Sequence, residues 1–247
     1  MNIFLSFFNE IIYRPLLNGL VALYSVLPYQ DLGLAIIVLT AAVRLALHPV
    51  IVQTVRSQAA MVLIQPELRS IQERFKGDRE EQARRTMALY RERGVHPLSG
   101  CIPIIIQIPV LIGLYQVFLT GIRLEDSSLL YSFVPQVTAF DPVTFGVIDL
   151  GSRSIALAVA AGVSQFFSGR LLVPASPVQT GRSNFQQTMQ WQTTYFLPIF
   201  IFGISWSFPA ALALYWTALN VFAIVQQRWI QKRMHHERTP GTNHRDA

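Results

Sequence analysis

Arg44 lies in Leu39-Thr40-Ala41-Ala42-Val43-Arg44-Leu45-Ala46-Leu47-His48-Pro49, a run without an acidic residue. A guanidinium at the middle of a membrane-buried helix costs about 2.5–3.5 kcal/mol on insertion scales, so it is expected to face protein, water or a partner instead of lipid. The plainer alternative is an arginine that snorkels to the nearer interface, roughly 12 Å along the helix axis. Gln107, Gln165 and Asn220 interrupt three other apolar stretches. Each alone reads as an interhelical hydrogen bond. Beside an arginine with no carboxylate in any apolar stretch, they suggest a hydrated cavity. Catalytic chemistry has weaker support. The apolar stretches contain no HExxH pair, and Gly203-Ile204-Ser205-Trp206-Ser207 only half resembles a nucleophile elbow. His235 and His236 are too few ligands to define a metal site, Cys101 has no redox partner, and Leu98-Ser99-Gly100-Cys101 follows a charged stretch where a lipidation box would follow an apolar one. No enzyme activity, cofactor or metal is expected.

The elements that must position these residues follow from composition. Of 247 residues, 51% are hydrophobic and only 14% charged, which excludes disorder, a disulfide scaffold and a collagen-like repeat. Five apolar stretches stand out, at 32–52, 102–120, 154–172, 193–207 and 209–225. The last two are short and are separated by Phe208-Pro209, which favours a tight helical hairpin over one broken span. Residues 3–27 are apolar but interrupted by Asn9, Glu10, Arg14, Pro15 and Asn18, the pattern of an interfacial helix, with a cleaved or spanning start as the alternatives. The fold class expected is therefore an all-α polytopic membrane protein with five transmembrane helices.

Charge orients the spans. Residues 53–99 hold nine Lys/Arg, 123–153 hold two against four acids, and the tail after Gln227 holds five. The positive-inside rule then places the N-terminus outside, with 53–99, 173–192 and 228–247 in the cytoplasm. The organisation reads as an N-terminal segment 1–31, a first span 32–52, a cytoplasmic helical hairpin 53–99, a second span 100–122, an external loop 123–153, a third span 154–172, a cytoplasmic loop 173–192, a span pair 193–227 and a basic tail 228–247. Counted from the cytoplasmic ends at 1.5 Å per residue, Arg44 lies roughly 12 Å deep, Gln107 roughly 8 Å, and Gln165 and Asn220 roughly 10 Å. Polar groups from four spans thus share the inner half of the bilayer.

In the 53–99 segment, Met61, Ile64, Leu68, Ile71 and Phe75 step by 3 and 4, one face of a helix. Gly77-Asp78 breaks the pattern, and Ala83, Met87 and Tyr90 continue it in a second helix that stops near Gly94. The bases are interspersed with acids and carry no aromatic-interleaved basic strand, so sequence-specific nucleic-acid binding is not expected.

These residues carry a resemblance. Over about residues 9–227 the chain is similar to the YidC/Oxa/Alb-type membrane protein insertases. The similarity is strongest in Gln65-Pro66-Glu67-Leu68, in Gly94-Val95-His96-Pro97-Leu98-Ser99-Gly100-Cys101-Ile102-Pro103, and in Gln107-Ile108-Pro109-Val110-Leu111-Ile112-Gly113-Leu114-Tyr115. Leu39-Thr40 with Arg44 and Pro49, Phe208-Pro209-Ala210 with Leu214-Tyr215-Trp216 and Asn220, and Gln226-Gln227 add to it. The resemblance implies a five-helix core with a client-receiving hairpin and a hydrophilic groove open to cytoplasm and lipid. Arg44 matches the groove arginine, and Gln107 and Trp216 match groove-lining positions. Thr40 lies one turn from Arg44, and Tyr215 stands beside Trp216. His96 stands where Asn is usual, the third span lacks the usual Leu-Pro, and the short basic tail argues against strong ribosome docking.

The function implied is insertion of hydrophobic segments and short polar tails of nascent membrane proteins into the bilayer of a bacterial plasma membrane, without nucleotide hydrolysis. Nascent membrane proteins and lipids are the partners implied, with a Sec-type translocon and the ribosome as further candidates. A small-solute or anion transporter is the rival reading, and it would call for an internal repeat that the chain does not clearly show.

Overall fold

Asp31 sets the start of the first core helix, because its Oδ1 accepts from the Leu34 N–H at 2.9 Å as an N-cap. The computed structural model describes residues 6–95, 102–120, 129–137, 139–172 and 191–238. A helix at Arg14–Val26 (α1) follows a π turn at Asn9–Tyr13; next come Leu32–Ala46 (α2), His48–Leu63 (α3), Gln65–Arg74 (α4), Arg79–Glu92 (α5) and Ile102–Thr120 (α6). Val143–Thr144 (β1) and Ile148–Asp149 (β2) form a short antiparallel pair, in which Val143 faces Asp149 and Thr144 faces Ile148. The chain then forms Ile155–Leu172 (α7), a π turn at Gln192–Phe196 leading into Leu197–Ser207 (α8), and Ala210–Arg238 (α9). The described structure is nearly all helical.

Two boundaries differ from the sequence reading. The apolar run 32–52 is not one straight helix: α2 ends at Ala46 and α3 departs at a bend of 64°. Pro49 is the cause, since it has no N–H to continue the ladder and its ring crowds the preceding turn. The bend carries the chain away from the core just after Arg44. The last helix is also longer than 209–225, because no Gly or Pro occurs between Ala210 and Arg238 and Ile230 is buried beyond the expected end. Part of the segment 228–247 is therefore helix. Among the described residues, Ala210–Met234 is long and apolar enough alone to cross a membrane, and the bent pair α2 with α3 passes the same test together. Gln107–Val117 and Ile155–Leu171 are shorter apolar helices.

The N-terminal segment does not stand apart. Leu16, Leu17, Leu20, Val21 and Tyr24 share one face of α1 and are buried with Ile36 and Leu39 of α2 and Leu114 and Val117 of α6. The relative directions of the last three helices follow from their contacts. Ala210 N–H donates to Ser152 O at 2.8 Å, and Gln227 Nε2 donates to Leu171 O at 2.8 Å, so α9 runs parallel to α7. Gly162 and Gly169 of α7 let α8 approach antiparallel: a Cβ on Gly162 would lie 3.0 Å from Phe202 Cβ, and one on Gly169 would lie 2.7 Å from Thr193 O. Consequently α8 and α9 run in opposite directions.

The segment after α3 is a pair of antiparallel helices with its own small core. Ile64, Leu68, Leu89 and Val95 are buried there, with Met61, Ile71 and Tyr90 packed against them. Pro66 starts α4, so Ile64 caps α3 instead of lying mid-helix as the continuous spacing implied. Met87 is 51% exposed, and Leu89 is the residue of α5 that is buried with Leu68. Two positions along a helix is roughly a 200° turn, so Met87 and Leu89 cannot share a face. Phe75 is half-buried, with the Arg85 guanidinium 5.9 Å from its ring centre. Arg93 closes the pair onto Glu67 at 2.7 Å. Gly94 at φ +61° and Val95 return N–H groups to Arg91 O and Tyr90 O, a Schellman stop. Hydrogen bonds from Arg84 and Arg85 hold the Glu81 carboxyl down at about 2. Burial pushes the Tyr90 hydroxyl above its ordinary value.

Candidate functional site: an apolar-walled pocket beside Arg44

The bend at Leu47, the face of α6 around Gln107 and the middle of α9 enclose one pocket, with about 60 Å³ open to water centres. One water needs roughly 10–15 Å³ by the same measure, so several fit. Leu39, Val43, Leu47, Ile51, Val110, Leu114 and Leu219 form its apolar wall, and Thr40, Arg44, Gln107 and Tyr215 supply its polar atoms. Among the described residues, no carboxylate lines it.

Arg44 is brought there by helical period: Thr40, Val43, Arg44 and Leu47 fall on one side of α2. Its Nη1 donates to the Leu219 carbonyl at 3.3 Å and its Nε donates to Gln226 Oε1 at 3.2 Å. Both acceptors are neutral and both bonds are long for a cation. On the opposite side, Gln107 Nε2 donates to the hydroxyl of Tyr215, whose ring is almost wholly buried. Thr40 Oγ1 returns to its own Ile36 carbonyl at 2.6 Å.

The structure divides the residues grouped by depth (Arg44, Gln107, Gln165 and Asn220) and those added by the resemblance (Thr40, Tyr215 and Trp216). Arg44, Thr40, Gln107 and Tyr215 meet in the pocket; Trp216, Gln165 and Asn220 do not line it. Trp216 Nε1 donates to Gln165 Oε1 at 3.3 Å, and Asn220 Nδ2 donates to Ser164 Oγ at 3.1 Å. These pairs fasten α9 to α7, the interhelical role each would have had alone. The reason is angular. Tyr215 and Trp216 are neighbours on α9 and point about 100° apart, so only Tyr215 faces α2 and α6.

Sequence reading missed Gln226 and His48 as parts of this arrangement. Gln226 Nε2 meets His48 Nδ1 at 2.7 Å, the His48 ring lies 5.6 Å from that of Trp229, and the Arg233 guanidinium sits 3.8 Å over Trp229. The available signal was the i, i+4 spacing of Arg44 and His48. Residues 96–101, which include His96 and Cys101, lie outside the described residues.

Residues 22–237 match the family described as 60Kd inner membrane protein. The chain is 34% identical over 238 residues to the membrane protein insertase YidC of Francisella philomiragia subsp. philomiragia, and 35% identical over 238 residues to the protein of that name from Francisella tularensis subsp. novicida. Each alignment covers 95% of this chain and 37% of the relative. The chain thus spans little more than a third of the length of the curated relatives it matches. With a family match over most of its residues, the chain belongs to the 60Kd inner membrane protein family.

Proposed function

We propose that the chain is a membrane protein insertase and chaperone of a bacterial plasma membrane. It moves hydrophobic segments and short polar tails of nascent membrane proteins from the cytoplasm into lipid through a hydrophilic groove, without nucleotide hydrolysis. The observation that carries this reading is Arg44: a guanidinium beside an apolar-walled pocket, held by two neutral acceptors. A carboxylate from a passing tail is a stronger acceptor than either and can displace them. No tight complex results, since the same neutral groups take the arginine back on release.

In this reading the five apolar stretches are spans and the N-terminus lies outside. The α4–α5 pair and the C-terminus lie in the cytoplasm, where the pair receives clients and a Sec-type translocon or ribosome can be reached. The driving force is partition into lipid, about 0.3–0.6 kcal/mol for each central Leu, Ile, Phe or Val. The names of the relatives and the resemblance of the motifs support the same assignment.

The test is reconstitution of the purified chain in liposomes with a small single-span client and no Sec components. Protease-protected client above that in empty liposomes is expected, and a photocrosslinker at Gln107 should capture a stalled client far more than one at Ile199, which is 70% exposed. Equal protection with and without the protein would overturn the assignment.

A further inference from the structure

We propose that His48 and Gln226 are positioning residues for Arg44, a reading that rests on the insertase assignment for its consequence but not for its geometry. The donor and acceptor assignment is forced. Arginine can only donate, so the atom of Gln226 facing Arg44 Nε at 3.2 Å is Oε1. That leaves Gln226 Nε2 to donate at 2.7 Å, and His48 Nδ1 receives it as an acceptor, with the imidazole neutral and its proton on Nε2. His48 therefore decides which end of the amide Arg44 meets. If the amide turned over, its NH2 would face the guanidinium, donor against donor, and Arg44 would lose one of its two acceptors.

Two further contacts hold the selector in place. The His48 ring packs beside Trp229 at 5.6 Å, and Arg233 covers Trp229 at 3.8 Å, so α9 clamps the imidazole one turn beyond the pocket. The pattern draws on three helices: Arg44 of α2 and His48 of α3 are four residues apart on either side of Leu47, and Gln226 and Trp229 are three apart on α9. A neutral selector has a specific advantage for this site. It orients Arg44 without cancelling its charge, so the pocket favours an acidic tail over a neutral one. A carboxylate at position 226 would orient Arg44 as well, but it would occupy the charge permanently.

The proposal separates His48→Asn from His48→Phe. Asparagine places Oδ1 where Nδ1 stood and keeps the acceptor while losing the ring; phenylalanine keeps the ring on Trp229 and loses the acceptor. The first readout is the Arg44 Nε–H resonance of the 15N-arginine-labelled full chain in detergent micelles, assigned by its loss in Arg44→Lys. It should stay protected from solvent exchange in wild type and His48→Asn and lose protection in His48→Phe. The second readout is the ratio of acidic-tailed to neutral-tailed client inserted into liposomes. His48→Asn should retain it, while Gln226→Glu should lower it about tenfold, the worth of one charge-assisted hydrogen bond. The reverse pattern, with protection and ratio kept in His48→Phe and lost in His48→Asn, would show that the ring only packs and would overturn the proposal. An unchanged ratio in Gln226→Glu would overturn it too. If wild type inserts neither client while the resonances behave as stated, the insertase reading fails and the positioning role stands.

Discussion

Asp31 and Arg44 lie at opposite ends of α2, and the chain satisfies the two charges in different ways. Asp31 accepts from the Leu34 N–H at 2.9 Å, from the Phe145 N–H at 2.6 Å and from the Thr144 hydroxyl, joining the start of α2 to the β1–β2 turn. On α1, Asn18 is buried and fully used: its amide donates to Leu129 O at 3.0 Å and to Arg14 O at 2.8 Å, and its carbonyl accepts from Tyr131 N–H at 2.7 Å. At the other end Arg44 meets, among the described residues, two neutral acceptors at more than 3 Å and faces a pocket with room for water. Polar groups at the loop end complete the fold, whereas those at the bend remain able to change partners. Removing a loop-end group should therefore cost stability and spare selectivity, and removing Arg44 should do the reverse.

The largest stability loss is expected at Asn18. Asn18→Leu strands the Tyr131 N–H in a part-buried setting, at about 1–3 kcal/mol, leaves the Leu129 carbonyl with the longer bond from Arg14 at 3.4 Å, and should lower the thermal midpoint in detergent by several degrees. Asp31→Ala comes next. It removes an N-cap and two more hydrogen bonds, for about 2 kcal/mol, while the acidic-to-neutral client ratio should hold. A collapse of that ratio in either variant, at wild-type protein level, would erase the distinction between the two ends.

Asp31 also sets a pH dependence. Burial raises its carboxyl, but hydrogen bonds from Thr144, Phe145, Leu34 and Gly33 outweigh this and hold it below the ordinary 3.8. A group depressed in the folded state binds its proton more weakly there than in the unfolded chain, so its stabilisation is complete above the ordinary value and fades as pH falls through the folded value. The Asp31 contribution to the wild-type thermal midpoint should fall from its pH 6 value only under about pH 4, and Asp31→Asn should lose this part of the drop. Smaller still is Gln165→Leu, which removes the Trp216 contact between α7 and α9 and should cost about 0.6 kcal/mol. Thr40→Val should be closest to silent in stability, since the Thr40 hydroxyl bonds, among the described residues, to the Ile36 carbonyl of its own helix.

Much of this comparison was legible in the sequence. Arg44 announced itself by its cost in an apolar run, and the polar layer of Gln107, Gln165 and Asn220 was visible from depth alone. Depth is one coordinate, however, and angle around the axis is the other. The sequence could not assign Trp216 and Asn220 to the α7 side and Tyr215 to the pocket without knowing which neighbours α9 has. The same limit hid Leu89, which lies outside the Ala83, Met87 and Tyr90 spacing and is buried against the partner helix. Pro49 was visible as a helix breaker, but the size of its bend, 64°, was not. Asp31 had no visible role, because its partners Thr144 and Phe145 lie more than a hundred residues away.

The central claim is that Arg44 is a charge partner held ready by neutral acceptors, and one pair of clients tests it most directly. Purified wild type and Arg44→Glu, at matched amounts in liposomes, would be given the same single-span client with an acidic tail or with its acids changed to amides. The account predicts that Arg44→Glu lowers insertion of the acidic client about tenfold or more while changing the neutral client much less, with both proteins melting within a few degrees of each other. Equal insertion of the two clients by Arg44→Glu, at wild-type rates, would contradict it.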